Sequence, residues 1–171
     1  MNLLITGGAG FIGSNLIHHV IDDAKITKLV NLDCLTYAGR LENLEKVVRH
    51  PKYVFEKVDL RDKSAVLRVM QKHSITRIMH LAAESHVDRS ISGPGDFIQT
   101  NIVGTFNLLE ACRACWLEPA AGKSDIGHRF HHISTDEVYG SLGRTGHFVE
   151  TTPYAPNSPY SASKASSASR T

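Results

Sequence analysis

The segment Thr6-Gly7-Gly8-Ala9-Gly10-Phe11-Ile12-Gly13 constrains this chain more than any other, because it lies between an apolar run and a helical repeat. Leu3-Leu4-Ile5 precedes it and reads as a buried strand, while Ile12, Leu16 and Val20, joined by Ile17 and Ile21, recur at helical spacing behind it. The glycines parse as GxGxxG from Gly8 or as GxxGxxG from Gly7. Both readings serve the same physics: a tight turn, close approach of the backbone to a pyrophosphate, and a glycine that lets helix and strand pack. The helix start also presents free N–H groups and the positive end of its dipole to phosphate oxygens. A second apolar run, Leu29-Val30-Asn31-Leu32, closes at Asp33, twenty residues past Gly13. A carboxylate there can accept hydrogen bonds from both hydroxyls of a ribose, whereas a 2′-phosphate would meet like charge. The cofactor expected is therefore NAD rather than NADP.

The rest of the chain continues the alternation. Tyr53-Val54-Phe55, running up to Asp59, reads as a third strand, and Val66, Val69 and Met70 after Asp62 share one face of a helix. Arg77 to Leu81 is a fourth strand ending in Ala82-Ala83. Ile102 to Cys115 reads as a long amphipathic helix with Ile102, Val103, Phe106, Leu109 and Cys112 on its apolar face and Asn107 and Glu110 off it. Pro119 to Gly127 is a polar surface loop, and Phe130 to Ile133 a fifth strand ending in Ser134-Thr135. Parallel strands need crossover helices, and such crossovers are right-handed. The fold class expected is α/β, a doubly wound parallel sheet of at least five strands, Rossmann-like, with one cofactor-binding domain over residues 1–167 and a divergent tail over 168–171. A chain of 171 residues suffices to bury a core of that kind.

A net charge of +2 with both signs scattered along the chain argues against nucleic acid or a membrane surface as the main partner. No apolar run is long enough to span a bilayer. The N-terminus enters a strand directly without a cleavable signal, so a cytoplasmic protein is expected. Cys112 and Cys115 have CxxC spacing, but no second pair or HxxxH completes a metal set and both fall within a helical pattern. With Cys34 they read as structural thiols, and no metal is expected.

Two groups of residues carry chemistry. Tyr160 and Lys164 form a YxxxK pair, which on a helix places phenol and ammonium on one face. The lysine cation and a nicotinamide positive charge would both favour phenolate and lower the tyrosine pKa toward that of a general base. Ser134-Thr135-Asp136-Glu137 falls at the carboxyl end of the fifth strand, where open parallel sheets bind ligands. A simple dehydrogenase needs only a hydroxyl there and the tyrosine. Two adjacent carboxylates suggest further proton transfers, with one group protonated and one ionised. The alternative reading is an acidic N-cap for the segment at Val138-Tyr139. Asp59 is open in the same way, either near the adenine or simply a solvated strand end.

Beyond these motifs, Leu35 to Gly39, Leu81 to Ser90, Thr100 to Thr105, His132 to Gly140 and Pro159 to Ser167 resemble the dTDP-glucose 4,6-dehydratases, a family of extended short-chain dehydrogenases, over nearly the whole chain. The resemblance implies a nicotinamide site at Gly7, Gly10, Phe11, Ile12, Gly13, Asp33, Cys34, Leu35, Thr36, Asp59, Leu60, Leu81, Ala82, Ala83, Ser85, Thr100, Tyr160 and Lys164, with Ser85 and Thr135 contacting the sugar nucleotide. It implies Thr135, Asp136, Glu137, Tyr160 and Lys164 as the catalytic set and a net dehydration of dTDP-glucose: Tyr160 takes the 4-hydroxyl proton, Glu137 the C5 proton, and Asp136 protonates the departing 6-hydroxyl. It also implies a homodimer.

Family members run to about twice this length. Ala168-Ser169-Arg170-Thr171 lacks the large apolar residues that would continue a buried helix face, so the chain reads as a C-terminally truncated form. It would then lack the small substrate domain and part of the helix through which relatives pair, and little or no turnover is expected of it. Cys34 stands where relatives often carry lysine. Two other readings share these motifs. One is an enzyme of the UDP-glucose 4-epimerase kind, which needs no Asp-Glu pair; the other is a non-catalytic NAD-binding fragment.

Overall fold

The apolar runs become strands because the sheet buries them on both faces. The computed structural model describes residues 1–117 and 127–168. Five parallel strands run β1 (Asn2–Thr6), β2 (Lys28–Asp33), β3 (Tyr53–Lys57), β4 (Arg77–His80) and β5 (Arg129–His132), in the order β3-β2-β1-β4-β5. Leu4 pairs with Val30 on one side and Ile78 on the other. Successive side chains of a strand point to opposite faces, and two cores result. Leu4, Val30 and Leu32 enter one with Val66, Val69, Met70 and Leu108, whereas Leu3, Ile5 and Leu29 enter the other with Ile17 and Ile21. This is the doubly wound, Rossmann-type sheet that the alternation predicts.

Helix α1 (Phe11–Val20) follows β1 directly, and α2 (Lys63–Lys72) starts at Asp62, whose carboxylate accepts from the Ala65 N–H at 2.9 Å. After β4 come a short helix, α3 (Val87–Ser92), and a continuous helical stretch. The latter opens as α4 (Pro94–Phe97), widens into π-helical turns over Ile98–Gly104, and continues as α5 (Thr105–Cys112) and further π-helical turns over Arg113–Leu117. Helix α6 (Pro159–Ala168) closes the described part. Most of the predicted loop at Pro119–Gly127, and residues 169–171 of the predicted tail, lie outside the described residues. Among the described residues no helix is long and apolar enough to cross a membrane.

One helical face differs from the reading of spacing. Ile102, Val103, Phe106 and Leu109 do not face the core; they line an open groove beside Ser166 and Ser167 of α6. The face turned inward carries Asn101, Gly104, Thr105, Asn107, Leu108, Ala111 and Cys112. Small residues win that face because the helix must approach the chain end of β3 closely: a Cβ on Gly104 would sit 3.0 Å from the Leu60 Cβ. Asn107, read as off the packed face, is buried and donates to the carbonyls of Leu60 and Arg61 at 2.9 and 3.1 Å. Cys112 belongs to the core, and burial pushes its thiol up to about 12.

Candidate active site

The direction of strand order reverses at β1, which has β2 on one side and β4 on the other, and the glycine turn stands at its carboxyl end. That is the crevice where open α/β sheets take ligands. Gly7 has φ +71°, in the left-handed region, and a Cβ there would lie 2.7 Å from the Ala82 nitrogen. A Cβ on Gly13 would collide with the Gly7 carbonyl oxygen and come to 2.7 Å from the Gly8 Cα, so this glycine lets α1 press against the turn. Gly10 is different: a Cβ there would meet nothing nearer than the Gly7 oxygen at 3.4 Å. The space over Gly10 is therefore left open by the protein. Gly10 is also the N-cap of α1 and supplies no side-chain hydrogen bond, so the N–H groups of the first helical turn remain for a ligand. The Phe11 and Ile12 side chains are exposed, and what this segment offers a phosphate is backbone.

Asp33 secures the turn from the side. Its carboxylate accepts from Ala9 N–H at 2.9 Å and from Leu35 N–H at 2.8 Å, and the residue is almost wholly buried. An ionised carboxylate has about four acceptor positions, so those two bonds leave capacity for a ribose diol. Leu35 takes φ +57°, uncommon for a residue with a side chain, and the Asp33 bond to its nitrogen holds it there. Asp59 has turned its carboxylate onto Arg61 in a two-pronged ion pair, with the shortest contact 2.6 Å, and the hydrogen bonds from Arg61 hold it below its usual range. The Arg61 pair is compatible with either reading of Asp59, near the adenine or at a strand end facing solvent. The backbone beside it, at Leu60 and Arg61, is what Asn107 fixes in place. At Cys34 burial first, and then the Asp59 and Asp33 charges, push the thiol up.

At the far side of β1, α6 buries both Tyr160 and Lys164. Lys164 donates to the Ile133 carbonyl at 2.7 Å, and burial brings its ammonium down to about 8. The Thr135 hydroxyl, which pulls down the pKa of the Tyr160 phenol beside it, donates to Asp136 Oδ1 at 3.4 Å and accepts from the Glu137 N–H at 3.3 Å. Thr135 is thus the cap of a 3-10 turn, Asp136–Tyr139, which puts Asp136 and Glu137 in its first turn. The cap is Thr135 and not one of the two acids, so the acidic N-cap reading is corrected: Asp136 and Glu137 occupy the first turn instead. The predicted lowering of the tyrosine pKa is not found in the chain by itself. Burial raises it, the Glu137 and Asp136 charges raise it further, and only the neighbouring Thr135 hydroxyl pulls it down. Lys164 donates to Ile133 instead. A cation brought in above Tyr160 would offset the two carboxylates.

Beneath these groups lies a buried polar network that sequence reasoning missed. The Asn101 amide accepts from Glu84 N–H at 2.8 Å and donates to the Glu84 carbonyl and the Ser163 hydroxyl, each at 2.9 Å. It thereby ties the loop carrying Ala83 and Ser85 to the helix carrying Tyr160. Thr105 donates to the Asn101 carbonyl, so its oxygen must accept from His80 Nε2–H at 2.8 Å. His80 Nδ1 then accepts from Thr6, whose oxygen accepts from the Ala82 N–H. This chain of bonds assigns His80 as neutral, and burial lowers its pKa well below the ordinary value. His132, whose ring is tilted against it with centroids 5.3 Å apart, is brought down to about 4 by burial and then by the Lys164 charge.

Both histidines therefore bind protons more readily in the unfolded chain, where histidine titrates near ~6.5. Their contribution is intact above that value and is lost as pH falls, for His132 until about 4. The melting temperature is expected to drop between pH 7 and 5, above the range where most carboxylates titrate. His132→Gln should flatten that slope; an unchanged slope would remove His132 from the account.

The family model described as GDP-mannose 4,6 dehydratase matches residues 4–171. The dTDP-glucose 4,6-dehydratase of Neisseria meningitidis serogroup B is 58% identical over 166 residues, covering 96% of this chain and 46% of its own length. The crystal structure of a dTDP-glucose 4,6-dehydratase from Streptomyces venezuelae, with NAD bound, is 42% identical with a TM-score of 0.86, over 98% of this chain and 49% of that one. A UDP-glucose 4-epimerase of Thermus thermophilus in complex with NAD is 35% identical with a TM-score of 0.83, over 99% of this chain and 49% of that one. The chain thus spans about half the length of the relatives it matches.

Proposed function

The chain belongs to the GDP-mannose 4,6 dehydratase family, and from that membership we propose that it is the NAD-binding and proton-transferring part of a dTDP-glucose 4,6-dehydratase, a hydro-lyase. The observation that carries the reading is that Asp136 and Glu137 stand in the first turn capped by Thr135, near enough for both charges to act on the Tyr160 phenol. An epimerase needs the hydroxyl and the tyrosine; it has no use for two carboxylates acting on the same phenol.

The residues fit the cofactor. The glycine turn leaves room over Gly10 that any protein side chain would fill, and Asp33 keeps acceptor capacity at the ribose position. Gly7, Gly10, Gly13, Asp33, Leu35 and Thr36 would hold the adenosine and pyrophosphate, and Leu81 to Ala83, Ser85, Thr100, Tyr160 and Lys164 the nicotinamide side. The chemistry that NAD would supply at this site is reversible hydride acceptance, which leaves the sugar with no net oxidation, so that the overall change is loss of water. Tyr160 would receive the proton of the 4-hydroxyl, with Thr135 holding the phenol in place. The 4-ketone then acidifies the C5 proton, which Glu137 would remove, while Asp136 would protonate the departing 6-hydroxyl. Ser85 and Thr135 would orient the sugar nucleotide.

Two measurements test this. In protein of the relatives' length given dTDP-glucose and NAD, nuclear magnetic resonance of the product should show a C6 methyl group; a product that keeps its hydroxymethyl would overturn the dehydratase reading in favour of epimerisation. The 171 residues alone are expected to turn over little, if at all, and a rate matching that of a full-length relative would contradict this. A homodimer and a cytoplasmic location follow from the same reading for a protein of the relatives' length.

Cofactor choice gives a second expected result. NAD should bind tighter than NADP by on the order of tenfold or more, a difference of ~1.4 kcal/mol per decade, because the buried Asp33 carboxylate would face the added phosphate. Equal or tighter binding of NADP in a calorimetric titration would remove that role from Asp33.

A further inference from the structure

Because β2 and β4 flank β1, the loops that leave them stand on the two banks of the glycine turn. The first loop is pinned to the turn by Arg40 N–H and the Asn43 amide, each donating to the Ala9 carbonyl at 3.0 Å. The second is pinned from below by Asn101, which grips both backbone groups of Glu84. Between these anchored banks Tyr37 reaches across. Its hydroxyl donates to Glu84 Oε2 at 3.1 Å, the Arg89 guanidinium lies 4.3 Å from its ring centroid, and the His86 ring lies at 5.7 Å. Tyr37 is about half exposed and belongs to neither core. Packing the fold gives no reason for an aromatic ring to span the crevice with polar groups as its partners.

We propose that Tyr37, Glu84 and Arg89 form a bridge over the mouth of the glycine turn that retains the dinucleotide and must open for it to enter or leave. The inference rests on reading that turn as the NAD site. A dinucleotide that runs from Asp33 to Tyr160 has to cross the end of β1, so its pyrophosphate passes beneath the bridge. One hydrogen bond and one cation–π contact, both at the surface, hold it closed. Contacts of this strength together slow passage by about tenfold.

A gate and an ordinary binding contact differ in kinetics. Removing a contact speeds release alone and weakens affinity, whereas removing a gate speeds entry and release together and leaves affinity nearly unchanged. Stopped-flow measurement of NAD association and dissociation on the 171-residue chain, with Tyr37→Ala, Tyr37→Phe and Arg89→Ala variants, reads the difference. Both NAD rates are expected to rise about tenfold in Tyr37→Ala and Arg89→Ala. They should rise less in Tyr37→Phe, which loses only the hydroxyl and serves if the larger change impairs folding. AMP occupies one bank and does not cross the turn, so its rates should not move. Unchanged NAD rates, faster release with unchanged entry, or an equal effect on AMP would each overturn the bridge while leaving the NAD site standing. Failure of the unaltered chain to bind NAD at all would overturn the cofactor reading, and the bridge with it.

Discussion

Tyr160→Phe is expected to slow the first oxidation of the sugar by on the order of 10²–10⁴-fold, the usual worth of a positioned general base, while Glu137→Gln leaves that step and blocks elimination. The two residues serve different protons. Tyr160 is buried on α6 with its phenol against Thr135, within reach of a hydroxyl at the carboxyl end of β5. Glu137 is half-buried in the first turn after Thr135, held by its own N–H to the Thr135 oxygen, so the amide substitution keeps the turn and removes only the base. Removing the Glu137 charge also removes one of the influences that raise the Tyr160 pKa. The first oxidation in Glu137→Gln should therefore keep its rate or shift its pH dependence downward. In protein long enough to turn over dTDP-glucose, single-turnover absorbance of reduced nicotinamide follows the first step and product analysis follows the second. Loss of the first absorbance change in Glu137→Gln, with NAD and sugar nucleotide still bound, would show that the roles are not divided in this way.

Gly13→Ala is expected to unfold the turn, and Gly10→Ala to leave the fold intact but weaken NAD. At Gly13 a Cβ would strike the Gly7 carbonyl and the Gly8 Cα, and neither backbone atom can step aside as a flexible side chain could. The cost should reach at least the ~1–3 kcal/mol of ordinary overpacking, and NAD binding should go with it. At Gly10 the nearest atom to a Cβ is 3.4 Å away and the backbone, φ −76° and ψ 175°, suits alanine. Stability should change by ~1 kcal/mol or less, the scale of an N-cap substitution. The new methyl group would instead occupy the space kept for the pyrophosphate. Denaturant midpoints and NAD titration of the two variants separate these effects. A Gly10→Ala protein that binds NAD as tightly as the unaltered chain would show that the phosphates lie elsewhere.

The elements of the fold were legible in the sequence because each is coded by a local period. Leu3-Leu4-Ile5 and Leu29 to Leu32 are apolar without alternation, as strands covered on both faces must be, and they become β1 and β2 with side chains in both cores. The glycine turn after β1, Asp33 at the end of β2, Thr135 to Glu137 after β5 and the pair Tyr160 and Lys164 on α6 were placed for the same reason: each is a short pattern set by near neighbours. Periodicity failed on the helix after β4. Ile102, Val103, Phe106 and Leu109 make a convincing apolar stripe, yet the inward face is the one with Gly104 and Asn107. Spacing records which residues share a face; it does not record how near the neighbouring element must come, and close approach favours small residues over apolar ones.

By itself, then, the sequence determined which strands and helices form, in what order, and which residue types meet at the ends of β1 and β5. Only the tertiary structure decided the partner of each polar group. Asn101 finds Ser163, Thr6 finds His80, Lys164 finds Ile133 and Tyr37 finds Glu84 across 62, 74, 31 and 47 positions of chain. No local pattern can encode such bonds, because they exist only once the sheet has brought distant segments together, and each donor takes an acceptor that the fold has left within reach.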